Sequence, residues 1–449
     1  MKKEDLSYVY LLLIHALIGI LLYVLPIIST ALTVLLFVFG FYYISLNKNR
    51  NNEALVMSAY VVSIEVLLRM TGGGIFNEFG KYTIIIYMFL GMIYSGFSKN
   101  SLLYWFFLML LIPSIILSFI SLSFETNIRK AIAFNISGPV CLGISAIYCY
   151  KREITFDRLK GVITAFCLPL ISVVIYLFLY TPSIKDVVTG TQSNFETSGG
   201  FGPNQVSTIL GFGIFVFFVQ LLLNSKSKLL QIINASFVLV FAFRGIVTFS
   251  RGGIITAVVM IFLLVIVLFF KANSNIKPKI GIIIIFSFLA GIGVWGYSSL
   301  QTSGLINKRY ANEDALGRKK KSQLSGRETL MESELKMFLE NPFLGVGVGR
   351  NKEIRAKETG IVAASHNEIT RMLAEHGSLG LLGLLILFFT PLILFLNNRQ
   401  NILALPFLAF WLLTINHAAM RLAAPAFVYA LSLLLVQVKI PEKAENSGD

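Results

Sequence analysis

The sequence predicts an all-α polytopic membrane protein of about 12–14 transmembrane helices, with one long, partly helical outer loop before the last three spans. Three observations carry that expectation. The 449 residues are 56% hydrophobic and only 14% charged, against roughly a quarter charged in soluble domains, and mean hydropathy is +0.76. Apolar runs long enough to cross a bilayer recur along the chain, and helices are the natural spanning form because backbone groups in lipid must pair internally. Lysine and arginine concentrate in alternate loops, as expected when basic loops stay on the cytoplasmic side.

Spans are expected at 6–25, 27–46, 54–70, 82–97, 102–121, 131–150, 159–180, 203–223, 229–248, 252–270, 278–298, 378–396, 402–417 and 421–437. Pro26 alone breaks the first two. Lys2 and Lys3 precede an apolar run with no small-residue cleavage site, so the first segment reads as a retained span. With the N-terminus in the cytoplasm, the inner loops hold Lys48, Arg50, Lys99, Lys151, Arg152, Arg158, Lys160, Lys226, Lys228, Lys271, Lys277, Lys279 and Arg399. The short outer loops hold fewer: Lys81, Arg129, Lys130 and Lys185. The organisation follows as a bundle of about eleven spans over 1–298, an outer loop over 299–377, about three spans over 378–438 and an inner polar tail over 439–449.

The outer loop holds the residues with plausible chemistry. Ser325-Gly326-Arg327-Glu328 and Ser365-His366-Asn367-Glu368 both have the capping-box pattern. The first opens an amphipathic helix through Leu330, Leu335, Phe338 and Leu339, ended by Asn341-Pro342. The second opens a helix through Ile369, Met372 and Leu373, separated from the next span by Gly377. Between them, Gly345-Val346-Gly347-Val348-Gly349 reads as a backbone-exposing turn; it lacks the phosphate-loop lysine and follows no strand, which excludes nucleotide binding.

A formal charge of +15 would suggest nucleic acid in a soluble protein; here positive-inside anchoring accounts for most of it. Cys141, Cys149 and Cys167 are odd in number and fit neither a disulfide framework nor a zinc site. Aspartate is scarce and no Asp-x-Asp pair is present to hold a metal-bound sugar nucleotide, so the chemistry is expected to need no metal and no cofactor. His366, in the first helical turn, would be kept neutral by the helix N-terminus and could act as a general base; the plain alternative is a polar residue at a helix start. Arg251 opens a span at its outer end, with Arg244 about two turns earlier. Intramembrane arginine is costly and its fork suits phosphate; the alternative is a snorkelling side chain or an interhelical ion pair. Asn204, entering a span after Gly202-Pro203, is either a helix start or a polar binding ledge.

Taken in order, Gly202-Pro203-Asn204, Ser250-Arg251-Gly252-Gly253, Arg327 with an apolar residue following, Asn341 to Gly349, and His366-Asn367 ahead of Gly377 resemble the O-antigen ligase/polymerase superfamily, the Wzy_C-type membrane proteins of bacterial surface polysaccharide assembly. The resemblance covers roughly 200–420. It implies an inverting, metal-independent glycosyl transfer from an undecaprenyl-pyrophosphate-linked glycan on the periplasmic face of the inner membrane, making 299–377 a periplasmic catalytic loop. His366 and Arg327 would be catalytic; Arg251, Arg244, Asn204 and Asn367 would bind pyrophosphate or glycan. The acceptor would be lipid A-core for a ligase or a second lipid-linked glycan for a polymerase, with protein O-glycosylation a variant. A flippase or exporter of lipid-linked saccharide is the competing class; it explains many spans but not a well-capped outer loop with one well-placed histidine.

Overall fold

The structure is a computed structural model and describes residues 3–320 and 327–437. Its helices are α1 (Lys3–Val24), α2 (Ile28–Asn47), α3 (Glu53–Met70), α4 (Phe79–Ser95), α5 (Leu102–Ser121), α6 (Ile128–Cys149), α7 (Phe156–Tyr180), α8 (Ile184–Val187), α9 (Pro203–Leu223), α10 (Lys228–Ile246), α11 (Arg251–Lys271), α12 (Lys277–Gln301), α13 (Leu305–Tyr310), α14 (Arg327–Glu340), α15 (Arg350–Thr359), α16 (Glu368–Asn397), α17 (Ala404–His417) and α18 (Ala424–Leu431). Two three-residue strands, β1 (Glu153–Thr155) and β2 (Leu435–Gln437), pair in parallel with Ile154 opposite Val436. Ten helices among the described residues are long and apolar enough to cross a membrane: α1, α2, α5 to α7, α9 to α12 and α16. The all-α polytopic class is therefore borne out.

Four expected spans take a different form. α3 carries Glu53, Glu65 and Arg69, of which the last two pair at 2.6 Å. α4 and α17 are shorter apolar helices. The segment 421–437, expected as a spanning helix, is helical only over the eight residues of α18 and ends in β2. The reason is enclosure. Every residue of α18 is buried, and non-helical backbone at membrane depth is tolerated where protein surrounds it. Glu65 accepts from the Ala423 amide at 2.8 Å, which supplies the partner that α18 needs at its first turn.

α9 lies deepest, buried over almost its whole length. α10 and α11 flank it, and α7 joins it to α1 and α3. α12 stands apart: it is apolar but only Ile280 and Ser298 are buried, as suits a helix facing lipid. The bundle has two unlike ends. At one, Asn49, Ser95, Arg152 and β1–β2 form the connections. At the other, α3, α5, α7, α10, α12 and α17 finish, α4, α6, α9, α11 and α16 begin, and residues 302–320 and 327–367 are held against them. The Ser325–Gly326 half of the first capping pattern and the 439–449 tail lie outside the described residues.

Candidate active site at the loop-bearing end

Two short motifs meet because their helices cross backbone against backbone. Pro203 is the first residue of α9, where its fixed φ and missing N–H cost nothing. A side chain at Gly253 would sit 1.9 Å from the Ser207 carbonyl oxygen, and one at Gly211 2.1 Å from that of Gly253. Only glycine allows this approach. It lets Ser207 donate to the Ser250 carbonyl at 2.8 Å and Ser250 donate to Asn204 Oδ1 at 2.8 Å. Asn204 and Arg251, on different helices, are thus held to one ledge.

The glycine-rich 345–349 segment does not expose its backbone to a ligand. Val346 donates to Ala374 at 2.9 Å, Gly347 to the Glu375 carbonyl at 3.2 Å and Gly349 to the Glu375 carboxylate at 2.9 Å. Gly345 (φ +69) and Gly377 (φ +60) fold against each other, with Gly377 kinking the single element α16. The segment is a strap that anchors the loop to α16. The amphipathic face expected on α14 is also revised. Leu335 and Leu339 are exposed, at 40% and 75%, whereas Leu330, Ser333, Glu334 and Met337 are buried. α14 packs on α15 and α16, and a carboxylate lies on the buried face because it has partners there.

His366 is placed one residue earlier than expected. The N-cap of α16 is Asn367, whose Oδ1 accepts from the amides of Ile369 at 2.8 Å and Thr370 at 3.2 Å. Ser365 instead donates to Glu334 at 3.1 Å, and Glu368 pairs with Arg371, so no capping box forms. The Asn367 side-chain oxygen accepts from both first-turn amides without a reciprocal glutamate. His366 therefore precedes the cap. Its Nδ1 lies 3.1 Å from the Ala364 carbonyl. Burial, then the charges of Arg421 and Arg327, lower its pKa to about 4, so the imidazole is neutral. The direction is the one expected; its causes are burial first and then the arginines.

His366 lines a pocket of about 140 Å³ with Asn204, Gln205, Phe195 and Arg421. Arg421 donates to the Ser365 carbonyl at 3.0 Å, and Arg69 donates to the Arg421 carbonyl at 3.1 Å and Gln205 at 3.4 Å. A second set of cations gathers beside it. Arg309 is buried and donates to the Phe249 carbonyl at 3.0 Å. Its pKa is lowered by burial and then by Arg251 and Arg327, and that of Arg327 by burial and then by Arg251. Lys320 is lowered by burial and then by Arg309 and Arg251. Arg309, Arg327 and Lys320 each feel the charge of Arg251, as cations in one neighbourhood do.

The structure thus brings together His366, Arg327, Arg251 and Asn204. Asn367 is adjacent, but its amide caps α16 and donates to Asn416 at 3.1 Å. Arg244 lies apart. It is fully buried, donates to the carbonyls of Leu177 (3.1 Å) and Thr197 (3.0 Å), and faces the Phe178 ring. Arg421, Arg309 and Lys320 are additions to the set. Arg421 had a signal, a cation beside an apolar run; Arg309 and Lys320 are hidden among the other basic residues of 308–320. Among the described residues, no group of three or more His, Cys, Asp and Glu side chains is placed to hold a metal.

A neutral histidine and a set of arginines thus stand together at one end of a multi-pass helical bundle. Residues 235–385 match the family model described as Wzy_C, O-antigen ligase. That interval contains Arg244, Arg251, Arg309, Lys320, Arg327, His366 and Asn367, and the match bears out the resemblance drawn from the motifs. It supports a ligase-type role in glycan assembly at a membrane. No curated protein and no solved structure matches the chain.

Proposed function

We propose that the protein transfers a glycan from an undecaprenyl-pyrophosphate carrier to an acceptor hydroxyl on the periplasmic face of the membrane, with inversion and without a metal. The observation that carries this reading is His366, kept uncharged by burial and by the charges of Arg421 and Arg327, in a pocket with Asn204 and Arg421. The acceptor oxygen bonds to the anomeric carbon as the bond from that carbon to the pyrophosphate oxygen breaks. The electron pair leaves with the pyrophosphate, and the hydroxyl proton passes to His366. Arg251 and Arg327, with Arg309 and Lys320, offset the charge that develops on the leaving group. Asn204 orients the glycan, Asn367 sets the start of α16, and Arg244 holds the 194–200 turn rather than touching phosphate.

An apolar cleft of about 990 Å³ lies between α9, α10, α11 and α12, and Trp295 and Tyr310 are on its rim. Tyr310 adjoins Arg309, and this sequence of apolar slot and cationic end suits an isoprenoid tail with a phosphate head. The reading is tested by supplying reconstituted protein with one lipid-linked repeat unit and EDTA. A ladder of longer lipid-linked glycans that disappears in His366→Ala identifies a polymerase. Product formed only after adding lipid A-core identifies a ligase. Absence of transfer to either acceptor overturns the reading and favours a flippase or exporter.

A further inference from the structure

The loop that carries His366 is tied down on both sides by one buried carboxylate. Glu334, on α14, is fully buried. Its Oε1 accepts from Arg355 at 2.9 Å and Asn351 at 3.2 Å, both on α15. Its Oε2 accepts from Ser365 at 3.1 Å and from Thr370, in the first turn of α16, at 2.6 Å. Arg355 in turn donates to the Ala363 carbonyl at 2.9 Å. The contacts therefore bracket His366, with Ala363 and Ser365 on one flank and Thr370 on the other.

The same helix begins at Arg327. Met337, Val346 and Ala374 form a small apolar core beside the knot, so α14 and α16 are fixed to each other there. A buried ion pair is a costly way to gain stability, and a hydrophobic pair of the same volume would hold two helices together as well. What the carboxylate adds is direction: four donors from three elements converge on two oxygens and leave little freedom for the residues that bear them.

We propose that Glu334 is a positioning residue that sets the distance between His366 and Arg327, acting through Ser365, Thr370 and Arg355. The proposal rests on the reading of His366 as the proton acceptor. Displacement of a base by about an ångström can cost about 100-fold in rate, whereas the donor lipid, held by other residues, keeps its affinity.

The test compares Glu334→Gln, the double variant Ser365→Ala with Thr370→Val, and Thr370→Ser, all in the reconstituted full-length chain. Glycosyl transfer and amide hydrogen exchange are both measured. Glu334→Gln and the double variant are expected to lower kcat about 10- to 100-fold with KM for the lipid-linked donor unchanged. Exchange across 363–370 should rise about tenfold or more, as for loss of one hydrogen bond to a charged group, while that of α9 stays at the parental rate. Thr370→Ser retains the hydroxyl and should restore parental kcat. If Glu334→Gln does not fold, the double variant decides, since it leaves the Glu334–Arg355 pair intact. Parental exchange across 363–370, or parental kcat in the folded double variant, overturns the proposal. Parent protein inactive on every donor and acceptor removes the glycosyl-transfer reading instead; exchange then still shows whether the clamp exists.

Discussion

On the proposed mechanism, His366 has to be uncharged before the donor arrives and basic enough to take a proton once it is bound. In the free protein its pKa is depressed to about 4, partly by Arg421 and Arg327. A bound pyrophosphate offsets those charges, so the imidazole pKa rises toward the working pH, where a base is most effective. The base must be neutral, so activity falls as pH drops through the pKa. The acid limb of kcat/KM, which reports the free protein, is expected near pH 4, and the limb of kcat at higher pH; coincident limbs would remove the coupling. His366→Ala should lower turnover about 10²–10⁴-fold with donor binding retained, and near-parental turnover in a single-turnover assay would exclude it as the base. Arg251→Lys keeps the charge and loses the fork; about a 10²-fold loss is expected on kcat, against a mild loss for a merely snorkelling side chain. These residues were legible because each stands alone in its type and place. The grouping around them was not, since it depends on Arg309 and Lys320 folding back to Phe249 and Thr191, contacts between segments distant in the chain.

At the scale of the element, most helices were visible because apolar length is a strong signal, and their local stops were harder to see. Ser365 and Asn367 are both good N-caps separated by one residue, and tertiary competition decided between them: Glu334 engages Ser365 and leaves the cap to Asn367. Asn367→Ala should therefore destabilise the start of α16 by about 1 kcal/mol, read as a lower thermal midpoint together with faster exchange at Ile369 and Thr370. An unchanged midpoint would place the cap elsewhere. The strap at 345–349 shows the same limit. Its glycines signalled unusual backbone, but not whether that backbone meets a ligand or another helix; the amides of Val346 and Gly347 answer that they meet α16. Glu334 was unreadable for a related reason: a glutamate within a polar helix looks solvated until its four partners are in place.

For the whole molecule, the alternation of basic loops agrees with a bundle whose two ends differ, and the positive-inside rule predicts that the loop-bearing end lies outside. The three cysteines are buried, so an introduced surface cysteine gives a clean signal. Lys185→Cys, at the loop-bearing end, should react with an impermeant maleimide added outside intact cells, and Lys226→Cys, at the opposite end, only after permeabilisation; the reverse result would invert the topology. The short final helix escaped the sequence pattern because an apolar run cannot report whether lipid or protein surrounds it. α18 is enclosed among α3, α6 and α17, all of which precede it in the chain. Their enclosure of this segment therefore cannot be complete until α18, the last helix of the described residues, has been made. The same segment also brings in Arg421, whose contact with Ser365 completes the pocket beside His366. The pocket beside His366 is consequently one of the last features the chain can complete, and a nascent chain with most of its helices made still lacks one wall of it.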